Sequence, residues 1–167
     1  MIYTIENEVI RVQIADMGAE MMSLKLKEDG CEYLWQGDPE YWASRASNLF
    51  PICGRLTEGK YTYKGKTYEM QLHGFARHEI MKVVEEKPDR IVFELTQSEE
   101  TLKKYPFSFR LQIAYELEGH TVRQTFRVWN TGKEDLPFAV GGHPGFNVPM
   151  TKDTEFEDYY VEFDCVK

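Results

Sequence analysis

The chain is 167 residues long, 42% hydrophobic, 14% aromatic and 29% charged, a composition that supports one packed domain and excludes a disordered or low-complexity chain. Its 20 basic against 28 acidic residues leave a net charge of −8, which repels phosphate backbones and excludes nucleic acid as an expected partner. No apolar run approaches the roughly 18 residues of a membrane span, and Met1 to Ile10 carries Glu6 and Glu8 instead of a signal-peptide pattern. Cys31, Cys53 and Cys165 are odd in number and scattered, so reduced thiols in the cytoplasm are expected, with neither a disulfide framework nor zinc spacing.

In chain order, period-two alternation predicts strands at Val9 to Ala15 and Met22 to Lys27. Asp38-Pro39 predicts an N-cap and a proline-started helical turn through Tyr41 and Trp42. Strands follow at Lys66 to Gln71, Ile80 to Glu86 and Arg90 to Thr96, the last two joined by a turn at Pro88-Asp89. Ser98 to Tyr105 reads as a short helix ended by Pro106. The clearest strand is Phe107 to Leu117, where Phe107, Phe109, Leu111, Ile113, Tyr115 and Leu117 share a face. Glu118-Gly119-His120 then turns it into Thr121 to Trp129, an antiparallel hairpin with His120 in solvent. Tyr159, Val161, Phe163 and Cys165 alternate with polar or smaller neighbours and predict a further strand, still running as the chain reaches Lys167. The fold class is all-β, two packed antiparallel sheets in a single domain over residues 1–167.

Three segments carry residues that a sandwich core does not ask for. In Asn48-Leu49-Phe50-Pro51-Ile52-Cys53-Gly54-Arg55-Leu56 an arginine sits in an apolar stretch. A half-buried guanidinium must be paired or meet a polar ligand, with snorkelling to solvent as the plainer reading. In Leu72-His73-Gly74-Phe75-Ala76-Arg77, Gly74 allows close backbone approach beside His73, a side chain that moves protons near neutral pH. A turn holding a satisfied histidine explains the same pair, and His78 adds no metal spacing. In Ala139 to Pro149, three glycines, two prolines and His143 predict a rigid irregular loop, open to a functional or a structural histidine. No G-x-S-x-G, phosphate-binding loop or dinucleotide setting is present.

In this order and spacing the segments resemble the aldose 1-epimerase (galactose mutarotase) family, nearest its branch encoded with lactose-utilisation genes. The resemblance runs from Tyr3-Thr4-Ile5-Glu6-Asn7 through Pro51-Ile52-Cys53-Gly54-Arg55-Leu56 and His73-Gly74-Phe75-Ala76-Arg77 to Gly142-His143-Pro144-Gly145-Phe146-Asn147-Val148-Pro149. It implies a β-supersandwich and cofactor-free interconversion of the α and β anomers of a small-molecule sugar. In that chemistry a carboxylate takes the C1 hydroxyl proton, an imidazolium protonates the ring oxygen, and the opened ring recloses on its other face. The resemblance gives His143 the role of general acid, His73 that of a second imidazole near the ring oxygen, and Arg55 that of a donor to sugar hydroxyls. Trp42 and Phe146 offer aromatic faces to the sugar or fill the core. Pro144 and Gly145 depart from the pattern of galactose mutarotases proper. The family's catalytic glutamate and a sugar-binding aspartate lie beyond the matched region, so the expectation is an N-terminal portion, inactive alone, whose open sheet edges invite self-association. Two alternatives accompany it: a hexose-6-phosphate epimerase, with Arg77 on the phosphate or merely in a surface ion pair, and a non-catalytic carbohydrate-binding module.

Overall fold

Residues 1–163 are described by a computed structural model. Strands β1 (Ile2–Glu6), β2 (Ile10–Ala15) and β3 (Met21–Leu26) form an antiparallel meander. Asn7 shapes its first turn, because the side-chain oxygen accepts from the backbone N–H groups of both Val9 and Ile10, an Asx turn. In β2 the apolar Ile10, Val12 and Ile14 are buried while Arg11 is exposed, as alternation demands of a strand with one wet face.

The short β4 (Ala46–Leu49) follows, and then the hairpin of β5 (Lys60–Tyr63) and β6 (Lys66–Glu69). Next come β7 (Lys82–Lys87), β8 (Arg90–Thr96), helix α1 (Glu99–Lys104), β9 (Phe109–Glu118), β10 (Thr121–Asn130) and β11 (Gly141–Pro144). The main sheet runs β10-β9-β8-β7, all antiparallel, and β11 pairs with β4. The chain is therefore all-β and antiparallel, as expected. Helix α1 obeys its sequence: the Ser98 hydroxyl accepts from the Thr101 N–H and the Thr101 hydroxyl accepts in return from the Ser98 N–H.

One core joins the meander to the main sheet. Ile5, Val12 and Ile14 pack in the same cluster as Ile91, Phe93, Phe109, Leu111, Ile113 and Tyr115, all buried. At one end of it Phe50 meets Phe75, Tyr105 and Phe109 with ring centroids 5.0 to 6.1 Å apart. Such edge-on and tilted contacts add about 0.5 to 1.5 kcal/mol each beyond area burial. This aromatic knot is the floor on which the histidine-bearing segments stand.

The cap expected at Asp38 is present: its carboxylate accepts from the Glu40 N–H and its carbonyl from the Tyr41 and Trp42 N–H groups, closing a single turn before the chain leaves for β4. Three expectations need correction. His143 stands on β11 instead of an irregular loop, because Gly141 and Gly142 let the backbone lie against β4. Tyr159–Phe163 forms no strand; a 3-10 turn at Phe156–Asp158 precedes it, and Tyr160, Val161 and Phe163 point into solvent, while Cys165 lies outside the described residues. The segments β1, β4, β5 and β11 were not expected as strands at all.

Candidate active site

The stretch after β6 is folded by backbone contacts that few residues permit. His73 and Gly74 both have left-handed φ, 66° and 74°. A Cβ on Gly74 would lie 2.2 Å from the Phe50 carbonyl oxygen, so only glycine fits. That same carbonyl accepts from the Phe75 and Ala76 N–H groups at 3.0 and 3.1 Å. The loop is thus sewn to the exit of β4, and His73 is pinned in turn: its N–H donates to the Gly54 carbonyl at 2.8 Å, and its Nδ1 accepts from the Gly54 N–H at 3.0 Å.

The second bond fixes chemistry. An Nδ1 that accepts holds a lone pair, so the ring is neutral with its proton on Nε2, a donor left for something else. Burial, then the nearby Arg77 charge, then His143 push the His73 pKa below its ordinary value, in agreement with the bond.

His143 arrives from the other side of the chain. On the β4–β11 ladder it stands opposite Ser47, and Gly142 stands opposite Asn48. Strand β4 is buried throughout although half of it is polar, and its polar groups are satisfied in detail. The Asn48 amide donates to the Gly18 and Ala19 carbonyls at 3.0 and 2.8 Å and to the Tyr115 hydroxyl at 3.2 Å. Gln124 on β10 donates to Asn48 Oδ1 and to the Tyr115 hydroxyl, both at 2.7 Å, and that hydroxyl donates to Ala19 at 2.8 Å. A Cβ on Gly142 would approach Gln124 Oε1 to 3.1 Å. Glu20 completes the anchor, its Oε1 accepting from the Arg45 and Ala46 N–H groups at 2.9 Å each.

The two anchored segments meet. The rings of His73 and His143 lie 5.4 Å apart, edge to face at 71°, and Trp42 lies 5.1 Å from His143. His143 borders a cleft of about 300 Å³ that Met21, Ala46, Gln124, Pro144 and Phe146 also line. Of the expected aromatic faces, Trp42 is half-buried and Phe146 is 47% exposed. Arg77 is half-buried, its Nε wholly so and without a hydrogen-bond partner among the described residues, and its charge is felt by both His73 and His78. The ion pair expected as its plainer role is absent among the described residues. Arg55 is exposed, one residue past the Gly54–His73 pair, and its guanidinium touches neither imidazole through any hydrogen bond. No carboxylate hydrogen-bonds to either imidazole among the described residues, and no cluster of metal-ligating side chains occurs among them.

Asn48, Tyr115, Gln124 and Glu20 escaped the reading of the sequence. Asn48 opened a segment already singled out but was given no role, and a buried amide in an apolar run was the available signal; Tyr115 and Gln124 sit on strands, and Glu20 just before one, where nothing local marks them.

Residues 1–165 match the aldose 1-epimerase family. The plasmid-encoded LacX protein of Lactococcus lactis is 37% identical over 173 residues, covering all of this chain and 58% of that protein. Among solved structures, a galactose mutarotase related enzyme from Lactobacillus acidophilus superposes with a TM-score of 0.92 at 46% identity, over 95% of this chain and 53% of that one. A galactose mutarotase-like protein from Lactobacillus casei gives 0.87 at 38% identity, over 92% and 52%. The chain thus spans a little over half the length of the relatives it matches, and it belongs to the aldose 1-epimerase family.

Proposed function

We propose that this chain supplies the acid half of an aldose 1-epimerase site working in the cytoplasm, where Cys31 and Cys53 remain thiols. The observation that carries the reading is the edge-to-face pair of His73 and His143. Two imidazoles in contact disfavour a second positive charge. With Nδ1 of His73 occupied by the Gly54 N–H, His73 stays neutral and offers an Nε2 proton as a hydrogen bond, while His143 is the ring free to carry and give up a proton. A sugar ring oxygen set against both rings would be hydrogen-bonded by one and protonated by the other, opening the C1–O bond. Reclosure on the opposite face returns the proton to His143. Arg55 is assigned to the sugar hydroxyls at the mouth of the site.

The matching base, which takes the C1 hydroxyl proton, is assigned to the part of the relatives' length that this chain does not span. Without it, turnover is expected to fall by the contribution of one positioned base, about 10² to 10⁴, and further because the sugar is no longer held between acid and base. The test is mutarotation of glucose and galactose, followed by polarimetry, for three proteins: this chain, the chain extended by the remaining portion of the LacX relative, and the extended chain carrying His143→Asn. Activity is expected only in the second. Turnover by the 167-residue chain overturns the assignment of the base, and full activity in His143→Asn overturns that of the acid. Sugar binding that survives His143→Ala, with no turnover in any form, would favour a carbohydrate-binding module.

One observation favours a phosphorylated substrate as the second reading. Arg77 brings a half-buried guanidinium close to His73, its buried Nε without a hydrogen-bond partner among the described residues, and such a donor fork suits phosphate oxygens. Preference of the extended chain for glucose 6-phosphate over glucose, abolished by Arg77→Leu, is the result this reading requires.

A further inference from the structure

We propose that Trp42 is a positioning residue for His143, its indole fixing the imidazole in the cleft, and that Gly145 is glycine in order to admit that indole. The inference rests on the reading of His143 as the acid. His143 is exposed and its side chain makes no hydrogen bond among the described residues, so nothing polar sets its rotamer. What it has is two ring contacts, Trp42 at 5.1 Å with a 38° tilt and His73 at 5.4 Å. Contacts of this kind favour defined ring geometries, and the indole face also tolerates an imidazolium cation against it.

Trp42 can do this because it is itself fixed. Its N–H donates to the Asp38 carbonyl at 2.8 Å, and its carbonyl accepts from Trp35 Nε1 at 2.7 Å. The Trp35 backbone N–H donates to the Gly145 carbonyl at 2.9 Å, and the Gly145 N–H donates to the Arg45 carbonyl at 2.8 Å. A closed circuit therefore ties the turn at Asp38, the approach to β4 and the end of β11. The indole lies where a side chain at position 145 would be: a Cβ there would stand 2.8 Å from Trp42 Cζ3 and 3.1 Å from Trp35 Cβ. Gly145 is not among the residues with left-handed φ, so space, not backbone conformation, demands glycine. This gives a physical reason for the Gly145 that sets the His143 segment apart.

The test reads the imidazoles directly. In the 167-residue chain carrying isotope-labelled histidine, the ring-proton resonances of His143 should be displaced by the indole from those of free histidine. Trp42→Leu and Gly145→Ala should each move the His143 resonances toward those of free histidine, while Trp42→Phe should retain most of the displacement. Gly145→Ala keeps both rings and is decisive: a folded Gly145→Ala chain with unchanged His143 resonances overturns the proposal. Amide dispersion reports folding, and should Trp42→Leu lose it, Gly145→Ala and Trp42→Phe still decide. In the extended chain, Trp42→Leu should lower kcat roughly 10- to 100-fold with KM little changed, and Trp42→Phe should recover to within a few fold. Equal turnover by Trp42→Leu overturns the positioning role. An extended chain inactive before any substitution would count against the epimerase reading instead, and the imidazole resonances would still judge Trp42.

Discussion

Strand β9 and strand β4 are both buried, and they are held by opposite means. Along β9 the inward residues Phe109, Leu111, Ile113, Tyr115 and Leu117 contribute apolar area to a core flanked by paired strands on both sides. Strand β4 is buried at all four positions, yet Ser47 and Asn48 are polar, and Asn48 alone makes four hydrogen bonds. Apolar burial is forgiving of position, since a methyl group is content wherever water is absent. A buried amide is satisfied in one place only. The molecule uses the forgiving kind of packing to stay folded and the exacting kind to place β11, and with it His143.

The largest effect should come where the exacting contacts leave no room. Gly74→Ala puts a Cβ 2.2 Å from the Phe50 carbonyl oxygen at a φ of 74°, and the loss is expected to exceed the roughly 4 to 5 kcal/mol that already marks an exceptional substitution. The chain should not accumulate in folded form. Gly65→Ala is the contrast, with a φ of 76° but nothing within 4 Å, and should cost only the left-handed penalty of about 1 to 2 kcal/mol in urea. Similar loss in both would mean that φ, not close approach, sets the requirement.

Next comes the forgiving side. Phe109→Ala removes a fully buried ring from the aromatic knot and should cost about 3 to 5 kcal/mol in chemical denaturation. Whatever fraction folds should keep the His73–His143 ring contact, read as a cross-peak between the two imidazoles. Tyr115→Phe should do the reverse. It strips one hydroxyl that two amides donate to and should cost about 1 to 3 kcal/mol, yet weaken that cross-peak in the folded chain. Combined with Gln124→Met, the two losses should be non-additive by about 0.5 to 3 kcal/mol, because both residues serve one network. Additive losses with an unchanged cross-peak would erase the distinction between the two strands.

The same distinction explains what the sequence made legible. Alternation named β8 to the residue and β9, β10 and helix α1 to within one or two, because apolar faces and caps are local patterns. It failed at β4, where every position is buried and nothing alternates, and at β11, where glycines and a proline spell a loop although the backbone is paired. The three motifs were visible because glycine and proline punctuate them, and two of their histidines do meet. Tyr115 and Gln124 were not visible, since each reads as an ordinary strand residue until β4 is laid beside it.

The smallest expected effect is electrostatic. His73 and His78 both have pKa values pushed below the ordinary histidine range, chiefly by burial and by Arg77. A histidine with a lowered folded pKa binds its proton more readily when unfolded, so its contribution to stability is present above the unfolded value near 6.5 and is lost as pH falls through that value toward the folded one. The carboxylates with shifted values, Glu6, Glu85 and Glu100, are lowered by their basic neighbours, and their contributions fade only below about pH 4.5. Between pH 7.5 and 5.5 the slope of stability therefore belongs largely to the histidines. Thermal melts across that window should show Tm falling with pH. His73→Asn, which accepts a left-handed φ and does not titrate, should flatten the fall in part, and adding His78→Gln should flatten it further. A slope untouched by either substitution would show that the Gly54 bond does not hold His73 neutral, and the division of labour between the two imidazoles would lose its footing.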